Sequence, residues 1–323
     1  MGVKRLQKGL EEIYLEISNS KEPIRYELSV KHLANKTVAV DASIWMYQGK
    51  CAILGSSGEI KNSKGVDISL ITAIFNRVVY LLKCNMKPIF IFDGKPPKFK
   101  NETLQQRTDL KAKAKLRLAN NDYTDEIEKN KLSQRTCKIT NSDIKLFKEL
   151  LKKLGIPYIT AQHEADSQCA ALFQAKEIDY IISDDSDMIV FGGNKVIRNF
   201  KSSTNTVEVF DMDTFYKNTH LTQKDIVDIT LLLGCDYYPG IKGIGIKKII
   251  KLITNKEKIF PSEYKNKYVN DIINYFLTLE AKQSITKKTK INPDDLCTFL
   301  TDIIEFPMAK VITTLTALKY INY

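Results

Sequence analysis

The sequence predicts an α/β protein with a mostly parallel central sheet flanked by helices. Two apolar runs of strand length, Thr37-Val38-Ala39-Val40 and Pro88-Ile89-Phe90-Ile91-Phe92, bracket a segment from Ile68 to Leu82 whose apolar residues recur every three or four positions. The runs read as buried strands and the segment as an amphipathic helix. A third run, Asp179-Tyr180-Ile181-Ile182, follows a helical stretch from about Ala165 to Lys176. Buried strands that alternate with helices imply βαβ units and a mostly parallel sheet. The sequence contains no internal repeat.

Residues 98–140 break this pattern. Lysine, arginine, glutamate and asparagine dominate them, apolar residues are sparse and helix formers abound. Such a stretch cannot serve as core. It forms either a solvated linker or helices projecting from the body, which would offer Lys111, Lys113, Lys115 and Arg117 to phosphates. Further on, Thr222 can cap a helix running through Leu233. A glycine-rich turn follows, then a lysine-rich helix from Lys247, and past about Asn255 the pattern is helical and polar. The expected organisation is a core over residues 1–255, which includes 98–140 and the helical pair at about 222–255. A helical extension over 256–323 packs on that core.

Composition limits the function classes. The 323 residues are 43% hydrophobic and 9% aromatic, so the chain can bury a sizeable core. A formal charge of +11 and a pI near 9.1 favour a polyanionic partner, nucleic acid or an acidic membrane surface. The membrane option is weak, because no apolar run approaches the roughly 18 residues of a span. The start, Met1-Gly2-Val3-Lys4-Arg5-Leu6, has no apolar signal region and lacks the Ser or Thr of a myristoylation motif. The six cysteines are scattered and form no Cys-x-x-Cys pair, which argues against a zinc site or disulfide framework and for a reducing, intracellular compartment. With three histidines, histidine-based chemistry has few candidates.

The acids are more telling. Asp41 follows the first strand and Asp93 the second, while Ser183-Asp184-Asp185-Ser186-Asp187 follows the third. In parallel sheets, ligands gather outside the carboxyl ends of the strands. Glu164 and Asp166 open a helix, and Asp236 lies just after another. Singly, each acid reads as a turn or a cap. Gathered on one edge they would repel strongly unless cations sat among them. Oxygen donors without histidine suit Mg²⁺ or Mn²⁺. Two such ions roughly 4 Å apart can activate a water and stabilise an in-line phosphodiester displacement. A second piece is Gly240-Ile241-Lys242-Gly243-Ile244-Gly245-Ile246-Lys247-Lys248, where a glycine turn opening a helix exposes N–H groups to phosphate. Gly243 and Gly245 are expected to permit close phosphate approach or a positive φ.

At these residues the sequence resembles the flap endonuclease, exonuclease 1 and XPG family of structure-specific nucleases. The matching motifs begin at Met1-Gly2 and run through Val40-Asp41-Ala42-Ser43, Phe92-Asp93-Gly94-Lys95-Pro96-Pro97, Glu164-Ala165-Asp166, Asp185-Ser186-Asp187 and Leu233-Gly234-Cys235-Asp236-Tyr237 to the glycine turn. They keep their order over about three-quarters of the chain. The resemblance implies a PIN-like nuclease core with a helical arch at 98–140 and a helix–two-turn–helix element. It implies that Asp41, Asp93, Glu164 and Asp166 serve one Mg²⁺, with Mn²⁺ as a substitute. Asp185, Asp187 and Asp236 would serve a second ion, some ligands acting through water, and Asp184 would be a neighbour. Lys100 and Arg107 would hold and polarise the scissile phosphate, Tyr47 would stack on the adjoining nucleotide, and Arg77 would contact DNA. Gly2, Gly234, Gly243, Gly245, Lys247 and Lys248 complete the implied substrate contacts, with K⁺ at the glycine turn.

The implied activity is two-metal cleavage of 5′ flaps near the junction of single strand and duplex, in DNA replication or repair. The implied partner is DNA with a 5′ flap, nick or end, bound by a monomer. The alternatives are a 5′→3′ exonuclease of the exonuclease 1 kind and an inactive nucleic-acid-binding module, and the latter would be expected to lack some of the acids. Phe92-Asp93-Gly94-Lys95-Pro96-Pro97 leans towards flap endonucleases, whereas Asp185-Ser186-Asp187 with Phe191-Gly192 and Gly234-Cys235-Asp236 leans towards exonuclease 1. No Gln-x-x-aliphatic-x-x-aromatic-aromatic sliding-clamp motif is evident. The richness in Lys, Ile and Asn suggests an AT-rich genome of viral or protozoan type. The expected location is then the nucleus or, for a viral protein, the host nucleus or cytoplasm.

Overall fold

The computed structural model describes residues 6–279, 285–286 and 289–319. The chain begins with α1 (Leu6–Ile17), β1 (Arg25–Ser29) and β2 (Thr37–Asp41), then α2 (Ala42–Ser56), α3 (Ser69–Lys83) and β3 (Lys87–Phe92). Next come α4 (Asn101–Ala119), α5 (Glu126–Arg135), α6 (Asn141–Lys153), β4 (Tyr158–Thr160), α7 (Ala165–Gln174), β5 (Tyr180–Ile182) and the short α8 (Asp187–Val190). β6 (Lys195–Arg198), β7 (Thr206–Asp211) and α9 (Met212–Thr219) lead into α10 (Gln223–Leu233), α11 (Ile246–Thr254), α12 (Lys267–Leu277), α13 (Pro293–Thr298) and α14 (Met308–Lys319).

The strands form one seven-stranded sheet in the order β1-β7-β6-β5-β2-β3-β4. From β6 to β4 every pairing is parallel, and β7 and β1 add an antiparallel edge. The three apolar runs singled out in the sequence are therefore adjacent, β5 beside β2 beside β3, and their carboxyl ends share one edge. Along β2 and β3 the side chains alternate between two cores: Ala39, Ile89 and Ile91 face one, Val38, Val40, Phe90 and Phe92 the other. The strands read as unbroken apolar runs because both faces are covered.

Residues 98–140 are helical: α4 and α5 form a hairpin whose buried contacts reduce to Ala114 and Leu132. Of the two readings the composition left open, projecting helices hold and the solvated linker does not. Just past the hairpin, buried Lys50 on α2 meets Asp67 and Asp143 at 2.7 Å each, which ties α2 to the first turn of α6. Thr222 caps α10 in a reciprocal capping box with Asp225. The segment beyond 255 is less polar than it reads. Val269, Ile272, Ile273 and Phe276 of α12 join one core, while Leu296, Phe299, Leu300, Ile304 and Val311 join the other. Their apolar spacing is diluted by lysines and asparagines on the solvent side.

The glycine turn corrects one expectation. Gly243 has φ 83°, the left-handed region that favours glycine. Gly245 is extended, with φ −127° and open space where a Cβ would stand. Its backbone would accept any residue, so only approach to a ligand can call for glycine there. No helix among the described residues is long and apolar enough to cross a membrane.

Candidate active site

Asp41 ends β2 and caps α2, its Oδ1 accepting from the Ile44 N–H at 3.0 Å. Its Oδ2 accepts from Ser183 Oγ at 3.2 Å, which joins the ends of β2 and β5. Asp93, one residue past β3, accepts at Oδ1 from the Ala165 N–H at 2.8 Å, satisfying an orphan donor of α7 and docking that helix on the strand end. Glu164 and Asp166 thus sit at the positive end of the α7 dipole, where anions are favoured. The 183–187 loop folds on its own side chains: the Asp185 N–H donates to Ser183 Oγ and the Asp187 N–H to Asp185 Oδ1.

Asp41, Glu164, Asp166, Asp185 and Asp187 are buried, with exposures of 5%, 6%, 8%, 8% and 1%. Burial first, and then repulsion from Asp93, pushes the Asp41 acid up to about 8, though the Ile44 N–H opposes it. Asp166 and Asp187 are driven well above the usual carboxylate range, again by burial first and then by Asp185. Asp185 is raised by burial and partly relieved by the Asp187 N–H. Beyond burial, each of these acids is raised further by carboxylates of the same group, as expected where they share one site.

Cations meet them from the foot of the hairpin. Lys100 Nζ donates to Glu164 Oε1 and lies 3.6 Å from Asp236 Oδ2, while Arg107 Nη2 reaches Asp236 Oδ2 at 2.6 Å. Burial works to lower the Lys100 ammonium, but Glu164, Asp166 and Asp236 together outweigh it and the net shift is upward. Thr103 Oγ1 donates to the Asp236 carbonyl at 2.6 Å, so the first turns of α4 are pinned to the acid that follows α10.

Among the described residues no three acidic, histidine or cysteine side chains are arranged as a ready cation cage, and Lys100 stands where several of the acids converge. The donor chemistry nevertheless fits a hard cation. Asp166 Oδ1 is fully buried without a hydrogen-bond partner, and the acids around it supply only oxygen.

The remaining expected residues lie around this centre. Tyr47 is half-buried on α2, with Lys111 Nζ 5.9 Å from its ring centroid across the hairpin. Arg77 lays its guanidinium 3.8 Å from the Trp45 ring centroid and donates to Gln48 Oε1, whose amide donates on to Asp184 Oδ2. Asp184 also accepts from the Asn199 N–H, and its carboxylate is committed to structure. Arg77, Lys201 and Ser202 line a surface cleft of about 510 Å³. Gly234, at φ 90°, packs so tightly that a Cβ would meet the Pro239 carbonyl at 2.7 Å. Gly243, Gly245, Lys247 and Lys248 line one cleft of about 440 Å³ with Lys8 of α1. Gly2 lies outside the described residues.

The sequence reading did not anticipate two tyrosines. Tyr237 and Tyr275 both donate their hydroxyls to Glu164 Oε2, Tyr275 at 3.1 Å. Tyr237 follows Asp236 directly and could have been inferred from that motif. Tyr275 lies on α12, 111 residues from Glu164, in a segment whose pattern carries no chemical signal.

Fold and site together define a PIN-like α/β nuclease core. Residues 1–114 match the XPG N-terminal domain and residues 155–236 the XPG I-region. The chain is 34% identical over 267 residues to flap endonuclease 1 of Methanococcus aeolicus, covering 82% of this chain and 78% of the relative. It is 35% identical over 232 residues to flap endonuclease 1 of Drosophila mojavensis, covering 70% of this chain and 60% of the longer relative. Among solved structures, flap endonuclease-1 from Methanococcus jannaschii superposes with a TM-score of 0.71 at 26% identity, over 91% of this chain and 95% of that one. The catalytic core of Rad2 in complex with DNA substrate gives 0.68 at 28% identity, over 92% and 96%. The chain belongs to the flap endonuclease and XPG family.

Proposed function

We propose that this protein is a structure-specific 5′ nuclease that hydrolyses DNA phosphodiesters and cuts 5′ flaps near the junction of single strand and duplex. One observation carries the reading: buried, mutually repelling carboxylates at the shared strand edge, met by Lys100 and Arg107 from a cationic helical hairpin. Relatives named flap endonuclease 1 and a neighbour bound to DNA substrate support it.

In this reading Asp41, Asp93, Glu164 and Asp166 hold one Mg²⁺, and Asp185, Asp187 and Asp236 a second, with Mn²⁺ able to replace either. When bound, the ions supply the charge that activates a water and stabilises the oxygens of the displacement. The chain's own groups do the rest. Lys100 and Arg107 present N–H donors to the scissile phosphate, where preorganised donors act on developing charge. Tyr47 offers a ring on which the adjoining base can stack. The glycine turn with Lys247 and Lys248 grips the duplex backbone, K⁺ assisting, and fixes register without reading sequence. The 98–140 hairpin is the arch through which the 5′ strand passes.

Product mapping tests the reading. With Mg²⁺, a labelled 5′ flap should be released as one oligonucleotide, whereas mononucleotides from nicks and recessed ends would favour a 5′→3′ exonuclease. Asp187→Asn should abolish cleavage while leaving DNA affinity largely intact, since affinity comes from basic phosphate contacts. Substantial cleavage by that variant would sink the metal assignment.

A further inference from the structure

We propose that Tyr275 is a positioning residue for the Glu164 carboxylate, which makes α12 part of the active site as well as of the core; the inference rests on reading Glu164 as a metal ligand. Glu164 is the N-terminal cap residue of α7, but its side chain makes no capping bond and its carboxylate turns to the cluster. Both Tyr237 and Tyr275 donate to Oε2, and Oε1 takes Lys100. With Oε2 held by two hydroxyls, the carboxylate plane is fixed and Oε1 is the oxygen turned to positive charge.

Packing fixes the direction of the Tyr275 hydroxyl. Its ring lies edge-on to Phe99, Phe191 and Tyr237 at centroid distances of 5.0, 5.4 and 5.7 Å. Phe99 immediately precedes Lys100, so one aromatic cluster holds the tyrosine and the lysine that share Glu164. Seven residues earlier, two turns along the same face of α12, Tyr268 donates its hydroxyl to the Tyr237 carbonyl at 2.9 Å. The helix therefore braces the chain beside Asp236 and the carboxylate of Glu164 at once. It is held in place by Val269, Ile272, Ile273 and Phe276, which are buried in the core. Removing an outer partner of a ligating carboxylate typically weakens metal affinity about 10–100-fold.

Tyr275→Phe keeps the ring and deletes only the donor. Mn²⁺ uptake by the DNA-free protein, followed through the spin-resonance signal of free Mn²⁺, should weaken about 10-fold or more. Unfolding temperature in EDTA should stay close to that of the parent. Cleavage by the variant should recover as Mg²⁺ is raised, a rescue that a packing defect would not show. In a double-mutant cycle, Tyr275→Phe should add no further loss of Mn²⁺ affinity on a Glu164→Gln background. Unchanged Mn²⁺ affinity in Tyr275→Phe, or additive losses in the cycle, would overturn the positioning role while leaving the nuclease reading intact. If the parent protein took up no Mn²⁺ at all, the metal reading would fall and this inference with it.

Discussion

Asp41 serves structure and chemistry with one carboxylate. Its Oδ1 caps α2, yet its burial beside Asp93 favours the neutral acid, with the titration pushed up to about 8. The ordinary value is about 3.9. A raised acid stabilises the fold fully below the unfolded value, and that contribution is lost as pH climbs through the folded one. In EDTA, the unfolding temperature of the parent relative to Asp41→Asn should therefore fall between pH 4 and pH 8. Mg²⁺ should reverse the fall at pH 8, because binding displaces the protons. A parent-minus-variant difference that is flat with pH would show that Asp41 does not carry this charge burden. Lys100 and Arg107 rest on Glu164 and Asp236 and, in the proposed function, donate to the scissile phosphate. Lys100→Ala and Arg107→Ala should each lower the single-turnover rate by roughly 10²-fold, the range for lost electrostatic stabilisers. A change confined to affinity would demote them to ordinary backbone contacts.

The turn between α10 and α11 separates two roles for glycine. A side chain at Gly243 meets a backbone penalty, because φ is 83° there. At Gly245 the extended backbone and open surroundings remove that penalty. Gly245→Val is thus the cleaner probe: it should fold normally and still weaken binding to every duplex-containing substrate by blocking the phosphate. Fluorescence anisotropy should show single-strand affinity little changed, and equal losses on both would refute a duplex-specific clamp. The α4–α5 hairpin is the opposite kind of element, almost without core. Leu110, Leu116 and Ile127 stand 61%, 64% and 66% exposed on it. Thr103 and Arg107 pin the foot of α4 to Asp236, and α5 lies along α2, where Leu132 is buried and Cys51 Sγ donates to the Gln134 carbonyl.

The sheet, the hairpin and the two-helix turn together leave one acid-lined edge beneath a cationic hairpin, an arrangement suited to threading a strand. Threading requires a free end. A bulky block on the 5′ terminus, added before the protein, should suppress cutting, and the same block added afterwards should trap the complex. Efficient cutting of a closed bubble without a 5′ end would overturn threading and favour an XPG-like role. Much of this arrangement was legible in the residues. The runs at 37–41, 87–92 and 180–182 became adjacent strands because unbroken apolar runs of that length are satisfied only between two covered faces. The antiparallel edge of β7 and β1 was not read, since in β7 only Val207 and Val209 alternate with polar residues, in a short stretch without a distinctive turn.

Local pattern is enough to say which acids gather, because each follows a strand end or opens or follows a helix, and periodicity announces those positions. The cationic character of 98–140 and the cap at Thr222 are written there too. That residues 98–140 form a packed hairpin, and that Gly245 needs no special backbone, emerges from the folded molecule alone. The same is true of Lys100 pairing with Glu164, and of Tyr275, 111 residues away, sharing that carboxylate. Helix and strand periods are set by neighbours three, four or two residues apart and so are written locally. A hydroxyl's partner across the core depends on how whole helices dock, and no local pattern records that.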